Sequence, residues 1–213
     1  APIPLVSARL PGATDREVLV VSHLCHPQPS ANDNASGAAA NLEAARVLGA
    51  LRASGDLAPW RLGMRFLWVP ELTGTHAWLA HDPVRAGRLV SALNLDMVGE
   101  RQEECGSVLL LEHPPCFAAS FAEELVQAIR ERAVDWIDSY SGPGHYAHAR
   151  MAEVPFGGGS DHAVLSDPAI GVPCPLLIQW PDRYYHSSLD TPDRTDPGSL
   201  ALAARTAATF AAV

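Results

Sequence analysis

Two histidines, a cysteine and an aspartate stand close together in SHLCHPQPSANDNASG, residues 22–37. A neutral imidazole and a carboxylate both bind zinc, at about 2.0 to 2.2 Å, and a carboxylate shared by two ions bridges them. Two such ions about 3.5 to 4 Å apart activate a water and polarise a carbonyl together. This stretch is too short to complete such a site, so the other donors must come from further along the chain. Glu71 in VPELTG, Asp96 in NLDMVG and His186 in YYHSSLD are of the right type. With His23 and Asp33 they make two imidazoles and three carboxylates, a set suited to one or two zinc ions per chain. His26 competes with His23. The choice falls on His23, because SHL directly follows a hydrophobic run, whereas Pro27 imposes extended backbone and a sharp exit at His26. Each residue alone has a plainer reading: a strand-end histidine is commonly a hydrogen-bonded structural residue, and a strand-end aspartate a helix cap.

The elements that must position these residues read as alternating strands and helices. EVLVVSH, 17–23, is a β-branched run whose carboxyl end delivers His23. LGMRFLWV, 62–69, is a second buried strand ending before Glu71, and RLVSALNLDMV, 88–98, a third that brings Asp96 near its end. SVLLLE and CPLLIQW complete the strands. Helices are expected over 36–54, over 116–136 and in the closing GSLALAARTAATFAAV, from their apolar spacing and strong helix formers. The Pro/Gly-rich residues 139–162 read as a long loop with one short strand, and loops of that length tend to be functional. The pattern predicts a three-layer α/β/α sandwich around a mostly parallel, mixed sheet. Ligands in such sheets bind beyond the carboxyl ends of the strands, where all five donors fall.

The chain has 213 residues, 47% of them hydrophobic, and no linker or repeat divides it, so one domain over 1–213 is expected. A net charge of −9, with arginine as its only strongly basic residue type and no basic run, excludes a nucleic-acid partner. No apolar stretch is long enough to span a membrane, and APIPLVSARL lacks the charged start and apolar middle of a signal peptide. Cys25, Cys105, Cys116 and Cys174 form no CxxC pair. A Cys105–Cys116 bridge across a hairpin is the alternative to reduced cysteines in a cytoplasmic protein, which are the expectation.

In combination the motifs carry more than any one of them. SHL followed by ANDNASGAAANLEAARVL, then NLDMVG, GGSDHAVL and YYHSSLDTPD, resembles the di-zinc exopeptidases of the bacterial leucyl aminopeptidase type, with glutamate carboxypeptidase and glutaminyl cyclase among their relatives. The resemblance covers about residues 18–195. It implies His23 and Asp96 on one zinc, Glu71 and His186 on the other, and Asp33 bridging them, with a cis peptide after Asp33. It also implies that Tyr185 hydrogen-bonds the substrate carbonyl as it becomes an oxyanion. Asp161 and His162 are assigned to hydrogen-bonding the ligands into place. The contiguous Ser160, Asp161 and His162 are not a catalytic triad, because triads assemble through the fold.

Two residues depart from that family pattern. Pro70 stands where the family has a first glutamate, the general base, so Glu71 is left as either the base or a ligand. Cys25 stands where the family has an aspartate orienting the first histidine, so His23 is expected to lose its usual acceptor. The same departures resemble an aminopeptidase-like branch of the superfamily that often carries additional domains, and the expectation from that resemblance is a trimmed domain or one part of a longer protein. The reading is a metallo-aminopeptidase that cleaves an amide next to a free amino terminus of a peptide or small amide, using a metal-activated water. Its rivals are a silent metal-binding or peptide-recognition module, and a hydrolase of non-peptide amides or a glutaminyl-cyclase-like acyl transferase. No sequence feature sets an oligomeric state.

Overall fold

A computed structural model describes residues 4–213. In chain order its strands are β1 (Val6–Leu10), β2 (Glu17–His23), β3 (Gly63–Val69), β4 (Leu89–Asp96), β5 (Val108–Glu112), β6 (Trp136–Asp138), β7 (His145–Ala147), β8 (Met151–Val154) and β9 (Leu176–Trp180). The helices are α1 (Gly37–Ser54), α2 (Thr73–Ala80), α3 (Gln102–Cys105), α4 (Ala122–Ala133), α5 (Asp161–Leu165) and α6 (Pro197–Ala212). Seven strands form one sheet in the order β1-β3-β2-β4-β9-β5-β8, and β6 and β7 form a separate hairpin. The central β3, β2, β4 and β9 are parallel to one another. β1 and β5 run antiparallel to their central neighbours, and β8 runs parallel to β5, which makes the sheet mixed.

The continuous apolar runs of β2 and β3 follow from both faces of the sheet being covered. Val18, Val20, Phe66, Leu93 and Leu95 face one way and pack on α1, α4 and α6, whose contact residues include Ala44, Leu48, Val126, Ala203 and Phe210. Leu19, Val21, Leu67, Val69 and Ala92 face the other way and pack on Trp78 and Leu79 of α2 and on Val164 and Leu165 of α5. This is the expected α/β/α sandwich. Buried Asn41 ties α1 to the sheet by donating to Ser22 Oγ and the Leu67 carbonyl, both at 3.1 Å. α1 ends at Gly55, whose φ of 81° suits a residue without Cβ; its N–H and that of Asp56 satisfy the carbonyls of Arg52 and Leu51. α6 begins with Asp196 accepting from Ser199 N at 2.7 Å and Pro197 in the first turn.

The structure differs from the sequence reading in several places: residues 139–162 carry two short strands, β7 and β8, where one was expected, and α3 and α5 are added short helices. β1 is an added edge strand, five residues flanked by Pro4 and Pro11 and mostly exposed, whose alternation Val6, Ala8, Leu10 is too short to stand out. α2 is an added short helix. The helix expected over 116–136 is confined to α4. Ser120 accepts from Ala122 N while Glu123 accepts from Ser120 N, which fixes the start six residues late, and at Val134 the backbone becomes extended and leads into β6. Cys105 and Cys116 are unlinked, the first buried in α3 and the second exposed. No helix among the described residues is long and apolar enough to cross a membrane.

Candidate metal centre

Because β3, β2 and β4 are adjacent and parallel, their carboxyl ends make one edge. His23 pairs level with Val69, which puts Glu71 just beyond it, and the register Val21 to Asn94 carried on two residues sets His23 beside Asp96. His23 Nε2 lies 3.2 Å from Asp96 Oδ1 and 3.9 Å from Glu71 Oε1. Asp33 enters from the irregular turn Ala31–Ser36 that leads into α1, and the Asp33–Asn34 peptide is cis. Its two oxygens face different partners: Oδ1 is 3.3 Å from His23 Nε2, while Oδ2 is 3.1 Å from His186 Nε2 and 3.4 Å from His26 Nε2.

The donors therefore fall into two groups joined by Asp33. In one, His23, Glu71 and Asp96 present atoms within 4.8 Å of one another; in the other, His26, Asp33 and His186 do so. Glu71 stands with His23 and Asp96, and His26 stands with His186, a partition different from the one the resemblance implies. His23, Asp33 and Asp96 are buried, whereas the Glu71 side chain is 33% exposed and that of His186 56%, so the centre opens to solvent on their side.

Both strand-end histidines are oriented by carbonyls. His23 Nδ1 donates to the Cys25 carbonyl at 3.1 Å and His26 Nδ1 to the Gln28 carbonyl at 2.9 Å. These contacts turn each Nδ1 toward the backbone, that of His26 also meeting the Gln28 N–H at 3.3 Å, and so turn each Nε2 toward Asp33. The acceptor that His23 was expected to lose with Cys25 is thus supplied by the backbone of the same residue. The Cys25 thiol sulfur is engaged instead by the Glu71 N–H at 3.2 Å. His26 Nε2 is buried and makes no hydrogen bond.

Burial alone would depress His23, but hydrogen bonds to Asp33 and Asp96 outweigh it and push it up to about 12. Burial would likewise raise Asp33, yet His23, His26 and His186 hold it below the usual carboxylate value. Burial raises Glu71 against the opposing charge of His23, with Asp96, Asp161 and Asp33 adding to the rise. Burial and the same cluster's carboxylates raise the Tyr185 hydroxyl. The carboxylates around His23 thus favour positive charge there, the charge a divalent cation would bring. An orphaned, inward imidazole nitrogen, a carboxylate facing both ways and a set of only N and O donors together fit a pair of zinc-type ions.

Hydrogen bonds from outside the donor set hold it in place. Asp190 accepts from the N–H groups of Ala31, Asn32 and Asp33 at 2.9, 2.6 and 3.0 Å and also bonds Ser30, so the turn bearing Asp33 is clamped to the loop bearing His186. Asn34 Oδ1 accepts from Met97 N and Gly37 N, both at 3.0 Å; a Cβ on Gly37 would lie 2.3 Å from that oxygen. Ser160 donates to Asp96 Oδ2 at 2.6 Å. Asp161 Oδ1 accepts from Leu72 N and Thr75 Oγ1 at 2.9 and 2.6 Å and so fixes the segment after Glu71. His162 does not reach the donors: its Nε2 meets Glu112 Oε1 at 2.7 Å, and Glu112 in turn accepts from Gly157 N and Gly158 N. Its place directly after Asp161 turns it to the other side of the helix start. Asp190, Ser160 as a donor, and Glu112 were missed in the sequence. The only signal was the position of Asp190 four residues after His186 in HSSLD.

Strain concentrates here. Leu72, Met97 and His186 have φ of 54°, 53° and 53°, and they are the non-glycine residues with positive φ among the described residues. Each is a candidate donor or sits directly after one, as expected where neighbours over-determine an unfavourable backbone. Tyr185 stacks on His186 with ring centroids 3.7 Å apart and meets Trp180 edge-on at 5.0 Å.

The fold recurs in solved structures. A zinc aminopeptidase from Bacillus subtilis superposes with a TM-score of 0.73 at 22% identity over 97% of this chain and 49% of its own. An aminopeptidase from Aneurinibacillus sp. strain AM-1 gives 0.70 at 22% identity over 98% of this chain and 47% of its own. Glutaminyl cyclase from Porphyromonas gingivalis gives 0.69 at 20% identity over 98% of this chain and 76% of its own. The chain thus spans about half the length of the two aminopeptidases. No curated protein matches the sequence. A family model does match, over residues 6–211, nearly end to end, and on that match the chain belongs to Peptidase family M28.

Proposed function

We propose that this chain is a zinc-dependent peptidase domain that removes residues from a free amino terminus. The observation that supports it above all is the double-sided position of Asp33, with Oδ1 toward His23 and Oδ2 toward His26 and His186. His23, Asp33 and Asp96 would hold one zinc, and His26, Asp33 and His186 the other. Three protein donors per ion with a position left open is the pattern of catalytic zinc. Zinc bound there supplies Lewis acidity, polarising a carbonyl and bringing a water's pKa to about 7.

In this assignment His26 takes the ligand place that the family gives to a glutamate, and Glu71 is released to work as the base. Its carboxylate lies on the open side, accepts a proton at an Oε oxygen and returns it to the leaving amine. Tyr185, 40% exposed at the mouth and fixed by stacking on His186, donates its hydroxyl hydrogen to the substrate carbonyl oxygen as negative charge develops there. The acidic opening attracts the ammonium of a free amino terminus.

The test is elemental analysis together with hydrolysis of aminoacyl anilides before chelation, after it and after zinc is restored. Bound zinc, and turnover that disappears and returns with it, is the expected result; a chain that binds no metal or is indifferent to chelator overturns the reading. An amino-blocked anilide cleaved as fast as the free one removes the aminopeptidase step and leaves the peptidase.

A further inference from the structure

A second set of ligand-type side chains lies apart from the Asp33 centre and shares no residue with it. Glu100 follows the carboxyl end of β4, Cys105 closes α3, and Asp182 follows β9; their donor atoms lie within 4.8 Å of one another. Glu100 is 0% exposed, Cys105 2% and Asp182 9%. Both Glu100 carboxylate oxygens are buried without a hydrogen-bond partner. An unpaired buried carboxylate is among the costliest groups a protein can hold, and a second carboxylate beside it adds repulsion. The adjacent cation does not relieve it, since Arg101 pairs with exposed Glu104 at 2.7 Å. Burial, reinforced by the charge of Asp182, pushes the Glu100 carboxyl up to about 7.

We propose that Glu100, Cys105 and Asp182 bind a structural zinc ion through two carboxylates and one thiolate, with a water completing the tetrahedron. A sulfur donor selects zinc over calcium or magnesium, which take oxygen ligands. Bond lengths of about 2.3 Å to sulfur and 2.0 to 2.2 Å to oxygen put tetrahedral donors roughly 3.3 to 3.7 Å apart, so a small contraction completes the site. Binding forms one Zn–S and two Zn–O bonds and releases to solvent the thiol proton and any proton held between Glu100 and Asp182. Ser107 Oγ, buried and 3.0 Å from Cys105 Sγ, then reverses its role and donates to the thiolate.

The ion would join parts that the Asp33 centre depends on. Asp182 accepts from Asn32 Nδ2 at 3.2 Å, immediately before Asp33, and from Tyr184 N at 2.7 Å at the start of the loop that carries Tyr185 and His186. A zinc there pins that loop to the exit of β4.

Cobalt(II) loading of the apoprotein tests the site without reference to catalysis, because a near-ultraviolet sulfur-to-cobalt charge-transfer band needs a thiolate ligand and the proposed catalytic donors include none. Loss of the band in Cys105→Ser, with zinc content lower by one ion per chain in that variant and in Glu100→Gln, is the expected result. The double variant Cys25→Ser/Cys116→Ser keeps Cys105 intact and removes the exposed thiols, so it decides the matter even where the other variants fail to fold. A band that persists in it supports the site. Its absence there, or a band indifferent to Cys105→Ser, overturns the proposal and leaves a proton shared between Glu100 and Asp182.

Discussion

His26 and Glu71 are the residues on which the proposed chemistry of the Asp33 centre turns. His26 Nε2 is buried without a hydrogen bond and faces Asp33 Oδ2, whereas Glu71 is partly exposed and stands farther from His23 than Asp33 or Asp96 does. The two single variants should therefore fail in different ways. Glu71→Gln should keep its full zinc content while kcat falls by about 10²- to 10⁴-fold, the usual contribution of a general base. His26→Ala should lose an ion, with turnover partly recovered at high zinc. Elemental analysis beside steady-state kinetics checks both, and loss of an ion from Glu71→Gln would make Glu71 a ligand instead. The sequence set His23 and His26 against each other for one place. The structure gives each its own carbonyl acceptor and its own side of Asp33, which a linear spacing of three residues cannot reveal because it depends on how the chain leaves β2.

At the scale of elements, β2 connects the two ends of the molecule. Its carboxyl end carries His23, and its first residue, buried Glu17, receives Arg65 from β3 at 2.6 and 2.9 Å together with Arg9 from β1. Burial works to raise the Glu17 carboxyl, but the hydrogen bonds and charges of Arg65 and Arg9 outweigh it and hold the group below its ordinary value of 4.5. A carboxyl depressed in the folded state contributes stability that is fully present above its unfolded value and is lost as pH falls through its folded one. Glu17→Gln should therefore lower stability at neutral pH and flatten the decline below about pH 4.5, read from denaturant midpoints across a pH series. An unchanged acid slope would mean that the arginines do not favour the charged form. β2, β3, β4 and β9 were legible in the sequence because strands buried on both faces must be continuously apolar. β1 was not, since a short, exposed edge strand has no such requirement.

At the scale of the whole molecule, the proposed metal binding would be coupled to folding. The donors come from β2, the turn before α1, the segment after β3, the end of β4 and the loop after β9, so they converge only when the sheet is complete. An ion that binds this convergence and not the unfolded chain stabilises it by about 2.7 kcal/mol at one hundred times its dissociation constant. The thermal midpoint should rise with zinc and fall with chelator, and an Asp33→Asn variant should lose most of that response; a midpoint indifferent to zinc would mean that the donors do not bind it together. The sequence by itself determined the α/β/α sandwich, because hydrophobic periodicity and strand-end position are local properties that burial imposes on the chain. It also offered His23, Asp33, Glu71, Asp96 and His186 as candidate donors, with His26 as a competitor, since residue type limits which side chains can hold a metal. Only the tertiary structure decided how they are grouped. Asp33 oxygens 3.1 to 3.4 Å from three imidazoles, the clamp of Asp190 on the turn, and the meeting of Glu100, Cys105 and Asp182 all join segments far apart in sequence. Strand order and register set those distances, and no local spacing encodes them.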